Sequence, residues 1–174
     1  MNIYKSIRKQ KYINGIYSIV PIRYEDRFEI MKWRNDQIYH LRQAKLLTQE
    51  DQENYFANVV AKLFDLEHPN QLLFSYLEEG KCIGYGGLVH INWVDKNAEI
   101  SFIIKTSLGK NHFEKHWILY LDLIEQLAFD QLGLHKIFIY AFDLRPHLYT
   151  ALEIAGYKKR SSSKGTLLFS RSLY

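Results

Sequence analysis

The order of apolar and polar positions divides the chain into alternating strand-like and helix-like stretches. Residues 3–23 predict two short strands, "KYI" and "IYSIVPIR", around Asn14-Gly15, a pair suited to a tight hairpin turn. From 25 to about 40 the period becomes helical, with Phe28, Ile30, Met31, Trp33 and Ile38 as apolar positions. A second helix is expected to start at Thr48, where Thr48 to Asp51 resembles a capping box. Its apolar positions Tyr55, Phe56, Val59, Val60, Leu63 and Phe64 predict one buried face. Three strands then follow in sequence, "QLLFSYLE", "CIGYGGLVHINW" and "AEISFII", separated by polar turns. The segment 111–132 reads as a long helix facing inward through Phe113, Trp117, Leu121, Ile124, Ala128 and Leu132, and Gly133 ends it. "HKIFIYAF" predicts a buried strand, "PHLYTALEIAGY" a short helix, and the last residues a hairpin ending in "TLLFSRSL".

This order, β-β-α-α-β-β-β-α-β-α-β(-β), predicts an α+β fold in one domain spanning 1–174. A mixed sheet is expected, flanked by about four helices, because a helix after a meander must cross over to lay down the next strand. The 174 residues suffice for one substantial core, and 47% apolar content argues for a globular chain. A formal charge of +4 favours anionic partners only mildly, and no block of like charge exceeds four residues. "KKRSSSK" at 158–164 is too short a basic stretch to predict nucleic-acid binding. No apolar run approaches a bilayer's thickness and no signal peptide is evident, so a cytoplasmic protein without a membrane partner is expected. The single cysteine, Cys82, excludes an internal disulfide and reads as a small buried apolar residue.

The segment "SLGKNHFEKHW" places His112 and His116 four apart with an acid between them. A zinc-protease helix needs the glutamate beside the first histidine, whereas Glu114 lies two residues on, and no third ligand is evident. No metal is expected.

Five stretches, taken in order, resemble the GNAT N-acetyltransferase superfamily, in its amino-sugar or protein N-terminal branches. They are "PIRYEDRFEIMKWRN", "LFSYLEEGKCIGYGGL", "AEISFII", "AFDQLGLHKIFIYAFD" and "ALEIAGY", together covering about 18–157. The resemblance implies a sheet whose central strands splay apart, where Phe102, Ile103 and Ile104 offer backbone groups to the pantetheine of acetyl-CoA. It further implies a pyrophosphate site at the start of the next helix, formed by Gly109, Lys110, Asn111 and His112, with Arg145 after the later strand. Four positions depart from the family pattern. Asn111 and Phe113 replace small residues, Arg145 stands where asparagine is usual, and Leu152 stands where a tyrosine acid is common. Tyr149, three residues before Leu152 on the same helical face, is the candidate substitute.

Glu99, a carboxylate in an otherwise apolar strand, is the candidate general base. Arg42, between the first two helices, and His90 and Trp93, at a strand end, are the candidate acceptor-binding residues. The implied function is acetyl transfer from acetyl-CoA, as co-substrate, to a small-molecule amine, a nucleotide-linked amino sugar foremost. A protein N-terminal amine is the rival acceptor. The alternative class is a GNAT-fold binding module that has lost acetyl-CoA use. A tail shorter than usual after "GY" leaves that side open for a partner or a homodimer.

Overall fold

The computed structural model describes residues 2–142, 146–163 and 166–173. Its centre is an eight-stranded sheet in the order β1-β2-β3-β4-β5-β6-β8-β7. The strands are β1 Tyr12–Asn14, β2 Tyr17–Pro21, β3 Leu72–Glu78, β4 Lys81–Asn92, β5 Asn97–Ile104, β6 Lys136–Phe142, β7 Lys158–Ser163 and β8 Thr166–Ser172. All neighbours pair antiparallel except β5 and β6, which run parallel because a helical crossover joins them. The first turn falls one residue later than the Asn14-Gly15 pair predicts. Asn14 still pairs with Tyr17, and Gly15 takes φ +59° as the first central residue.

Helix α1 is Arg27–Asp36, α2 is Gln49–Tyr55 and α3 is Ala61–Leu63, the last two fused through a π-helical turn at Phe56–Val60. The expected capping box is present: the Asp51 N–H donates to Thr48 Oγ1 at 3.1 Å, and the Thr48 N–H donates to Asp51 Oδ2 at 2.9 Å. Such a cap contributes about 1 kcal/mol. The predicted apolar face is narrower in fact. Phe56, Val60, Leu63 and Phe64 are buried, whereas Tyr55 and Val59 are exposed, because the wider π turn rotates the stripe.

After β5 come α4, Thr106–Asn111, and α5, Phe113–Glu125, which continues as a π-helical turn over Gln126–Gln131. Helix α6 is Pro146–Ile154. The segment expected to be a single helix from 111 is therefore two. They break at His112, whose φ of −131° and ψ of 26° leave the helical region.

Residues paired across neighbouring strands share a face of the sheet. Phe102, Ile139 and Phe169 lie on one face, beneath α5 and α6. Phe102 stacks on Tyr120 at 3.8 Å between ring centroids, and Tyr149 stacks on Phe169 at 5.5 Å. The other face carries Val89, Glu99, Phe138 and Ser170 in one transverse row, set by the registers Val89↔Glu99, Glu99↔Phe138 and Phe138↔Ser170. Helix α1 and the loop that follows it lie over the β4–β5 part of that face.

Candidate active site

Strands β5 and β6 pair only through Asn97↔Lys136, Ala98↔Ile137 and Glu99↔Phe138. Beyond Glu99 they separate, so among the described residues Ile100 to Ile104 have no strand partner on the β6 side. Backbone polar groups left open inside a fold need a partner, and an extended amide chain supplies one. A cleft of about 370 Å³ opens at this split, lined by Arg34, Arg42, His90, Glu99, Phe102 and Tyr140 among others.

Glu99 sits where the split begins. It is only 8% exposed, and Arg42 Nη2 donates to its Oε1 at 2.9 Å. His90 Nε2 lies 3.7 Å from Oε2. A β-bulge between Val89 and Asn92 aims His90 at the cleft, and the residue adopts the left-handed φ of +49° there. The Arg42 guanidinium also lies 5.5 Å from the ring centroid of Tyr140. Arg34 enters from α1, bound through Nη1 to the Tyr85 hydroxyl and through Nε to Gln43 Oε1 at 3.0 Å. Three expected residues, Glu99, Arg42 and His90, are thus brought together.

Two others lie elsewhere. Trp93 is not in the cleft lining; its Nε1 donates to the Pro69 carbonyl at 2.9 Å, and its ring packs against His68. Tyr149 stacks on Phe169, on the face opposite Glu99. Arg145 lies outside the described residues.

The acyl-pantetheine portion of acetyl-CoA fits the open edge of β5, where Phe102 and Ile103 line the cleft. At Ile104 the carbonyl already accepts from Gln37 Nε2 at 2.8 Å. The diphosphate end would meet charge rather than a glycine loop. Gly109, Lys110 and Asn111 are helical within α4, and a Cβ on Gly109 would make only ordinary contact with Ile104 Cγ2 at 3.4 Å. Lys105 precedes α4 and Lys110 lies in its last turn. Lys115 instead lies over the Tyr17 ring, and Asp36 accepts from Thr106 Oγ1 at 3.0 Å at the start of α4.

Pattern reasoning passed over Gln37, Arg34 and Tyr140. Gln37 carried a signal: it continues the stripe of the buried Ile30 and Trp33, where an apolar residue is expected. Arg34 is the neighbour of Trp33, and nothing in the period marks it. Tyr140 belongs to the outward set of an alternating strand.

A parallel pair that splays apart within a mixed sheet is the architecture of the GNAT acyltransferases. The chain belongs to that family, matching the Acetyltransferase (GNAT) domain over residues 19–167. Among solved structures it is similar to spermidine N-acetyltransferase from Vibrio cholerae in complex with CoA and spermine. There the TM-score is 0.72 at 16% identity, covering 90% of this chain and 94% of that one. The dodecameric intermediate state of the same enzyme gives 0.71 at 17%, covering 91% and 95%. The N-acetyltransferase PseH of Campylobacter jejuni gives 0.68 at 14%, covering 92% and 100%. Comparison with curated protein sequences finds no match. Among the described residues no helix is long and apolar enough to cross a membrane, and no group of three or more His, Cys, Asp or Glu could hold a metal ion.

Proposed function

We propose that this protein transfers the acetyl group of acetyl-CoA to the primary amine of a small acceptor that also bears anionic groups, a nucleotide-linked amino sugar being the class that fits best. The observation that carries this reading is the buried Glu99, gripped by Arg42 at the mouth of the β5–β6 split.

Acetyl-CoA supplies the activated acyl carbon. The chain's own residues supply the rest. In this reading Glu99 takes a proton from an ammonium group held against its Oε2, directly or through one water. Arg42 positions the carboxylate with one of its donors and keeps others for the acceptor. Open backbone N–H groups of β5 are suited to polarise a carbonyl oxygen laid along that edge.

The acceptor class follows from charge. Among the described residues that line the cleft, Glu99 is the only carboxylate, against Arg34 and Arg42. A polyamine such as spermidine carries only positive charge, and two guanidinium groups disfavour it. A phosphate or carboxylate on the acceptor is favoured by the same groups, because Arg presents paired donors matched to such anions.

Calorimetric titration with acetyl-CoA is the first test, and no binding at millimolar ligand would sink the enzyme reading. Glu99→Gln is expected to lower turnover by about 10²–10⁴-fold with acetyl-CoA affinity unchanged; an unchanged rate would remove Glu99 as the base. The rival reading, a GNAT-fold binding module, is favoured by the helical turn of α4 where a phosphate loop is expected. The same titration separates the two.

A further inference from the structure

The row of side chains that holds Glu99 runs on past the cleft. Glu99 pairs with Phe138 on β6, and Phe138 pairs with Ser170 on β8, so Phe138 stands between the other two on one face of the sheet. This part of the face forms a second concavity of about 390 Å³, lined by Lys136, Phe138, Tyr140, Arg160 and Ser170 among others. It meets the first cavity at Tyr140, which lines both. Among the described residues no helix covers it, because α5 and α6 pack on the opposite face.

The row changes chemistry along its length. At the near end the Glu99 carboxylate suits an amine. In the middle two rings, Phe138 and Tyr140, stand edge to face with centroids 5.6 Å apart. An aromatic face is apolar and carries partial negative charge, so it takes the C–H face of a saturated ring. At the far end are two cations. Arg160 Nε donates to Ser170 Oγ at 3.0 Å, which fixes the guanidinium there. Lys136 stands two residues before Phe138 on β6, opposite Ser172. Among the described residues neither cation has an acidic partner, and no carboxylate lines the concavity. Neighbouring cations without a counter-charge suit a phosphate.

The order of the three parts is restrictive. Glu99 and Ser170 flank Phe138 and lie two strand spacings apart, roughly 10 Å. A single six-membered ring seated at Phe138 spans that interval only with its amine on one edge and its phosphate on the opposite edge. An amine and a phosphate on neighbouring carbons cannot reach both ends. Any group carried by the phosphate lies beyond Arg160, toward the β7 edge of the sheet.

We infer that this concavity is the distal part of the acceptor site and takes an amino-sugar phosphate whose amine and phosphate stand on opposite edges of the ring. The ring lies on Phe138 and Tyr140, and the phosphate lies between Arg160 and Lys136. The inference rests on reading Glu99 as the residue that receives the amine. It adds which positional isomers are accepted and which residues select them.

The test titrates the full chain, at saturating CoA so that the donor site is closed, with glucosamine 6-phosphate and with glucosamine 1-phosphate. The first carries its amine and phosphate across the ring from each other, the second on adjacent carbons. Glucosamine 6-phosphate should bind about tenfold more tightly than glucosamine 1-phosphate or glucosamine. Lys136→Ala with Arg160→Ala should remove that advantage while CoA affinity stays the same. Both side chains are exposed, and unchanged CoA affinity certifies the fold of the variant. Phe138→Leu, which keeps an apolar side chain but removes the ring, should weaken glucosamine 6-phosphate severalfold, and an unchanged affinity overturns the ring's placement. Equal affinity for the two phosphates overturns the opposite-edge arrangement. A preference that survives the double substitution overturns the role of the cations. No glucosamine 6-phosphate binding by a chain that binds CoA overturns the subsite and leaves acetyl transfer standing. If CoA does not bind but glucosamine 6-phosphate does, and the double substitution weakens it, the subsite stands and the acetyl-transfer reading falls. Should the protein sediment as a dimer that Arg160→Ala dissociates, with neither phosphate bound, the face is an interface between copies and the inference is overturned.

Discussion

At the scale of single residues, the histidine pair of "NHFEKH" divides sharply. His112 is exposed at the break between α4 and α5, whereas His116 is buried, with its Nδ1 3.1 Å from the Tyr76 hydroxyl. Burial holds the His116 pKa below its ordinary value; the Lys115 and His112 charges add to this and Glu78 opposes it. The unfolded chain therefore binds a proton, below about pH 6.5, that the folded chain resists. Stability should fall as pH drops through that value, and His116→Gln should flatten the dependence. Thermal melts between pH 5 and 7.5 check this; an equal slope in both proteins would remove His116 as the source. Glu99 was legible at this scale because a charge inside an apolar strand demands a reason. Its contact with Arg42 was not, since the loop that carries Arg42 is placed by tertiary packing rather than by local pattern.

At the scale of elements, strand positions were readable and helix details less so. The apolar stretches located every strand but β7, whose residues KKRSSS carry no alternation and were legible only as the partner a terminal hairpin requires. The segment after β5 defeated the pattern. Thr106 to Asn111 carries the polar, glycine-containing composition of a loop, yet it folds as a helical turn pinned by Leu108 on the core and by Asp36 at Thr106. Strand β4 shows the opposite case, in which small residues have a measurable purpose. A Cβ on Gly86 would lie 2.0 Å from the Ser101 carbonyl oxygen and 2.7 Å from the Tyr120 hydroxyl. That hydroxyl donates to the same carbonyl at 2.7 Å, tying α5 to β5 beside the cleft. Gly86→Ala should cost about 3 kcal/mol through this overpacking, or roughly 6–12 °C in Tm for a domain of this size. Differential scanning calorimetry measures it, and a shift under 2 °C would contradict the geometry.

At the scale of the whole molecule, the site depends on a sheet that splits and must still hold together. One fastening beyond the split is the ion pair of Arg171 on β8 with Glu125 on α5, at 3.0 Å, while the same guanidinium donates to the Ala155 carbonyl at 2.7 Å after α6. Burial pushes the Glu125 pKa up, and Arg171 opposes that. Because Arg171 is 41% exposed along its side chain, Arg171→Ala should cost only about 1–2 kcal/mol. Urea unfolding should show that loss, and adding Glu125→Gln should recover part of it by removing the stranded charge. No recovery would mean that the Ala155 bond, not the ion pair, does the fastening.

The sheet's outer margins have a consequence of another kind. Its two free edges are β1, three residues long, and β7, which opens with Lys158, Lys159 and Arg160. A bare edge strand is a template on which further chains can add, and shortness and positive charge are the two devices that discourage such growth. The cations Lys158, Lys159 and Arg160 therefore work against edge-to-edge polymerisation on the β7 side. Neutralising that edge would remove a safeguard against aggregation.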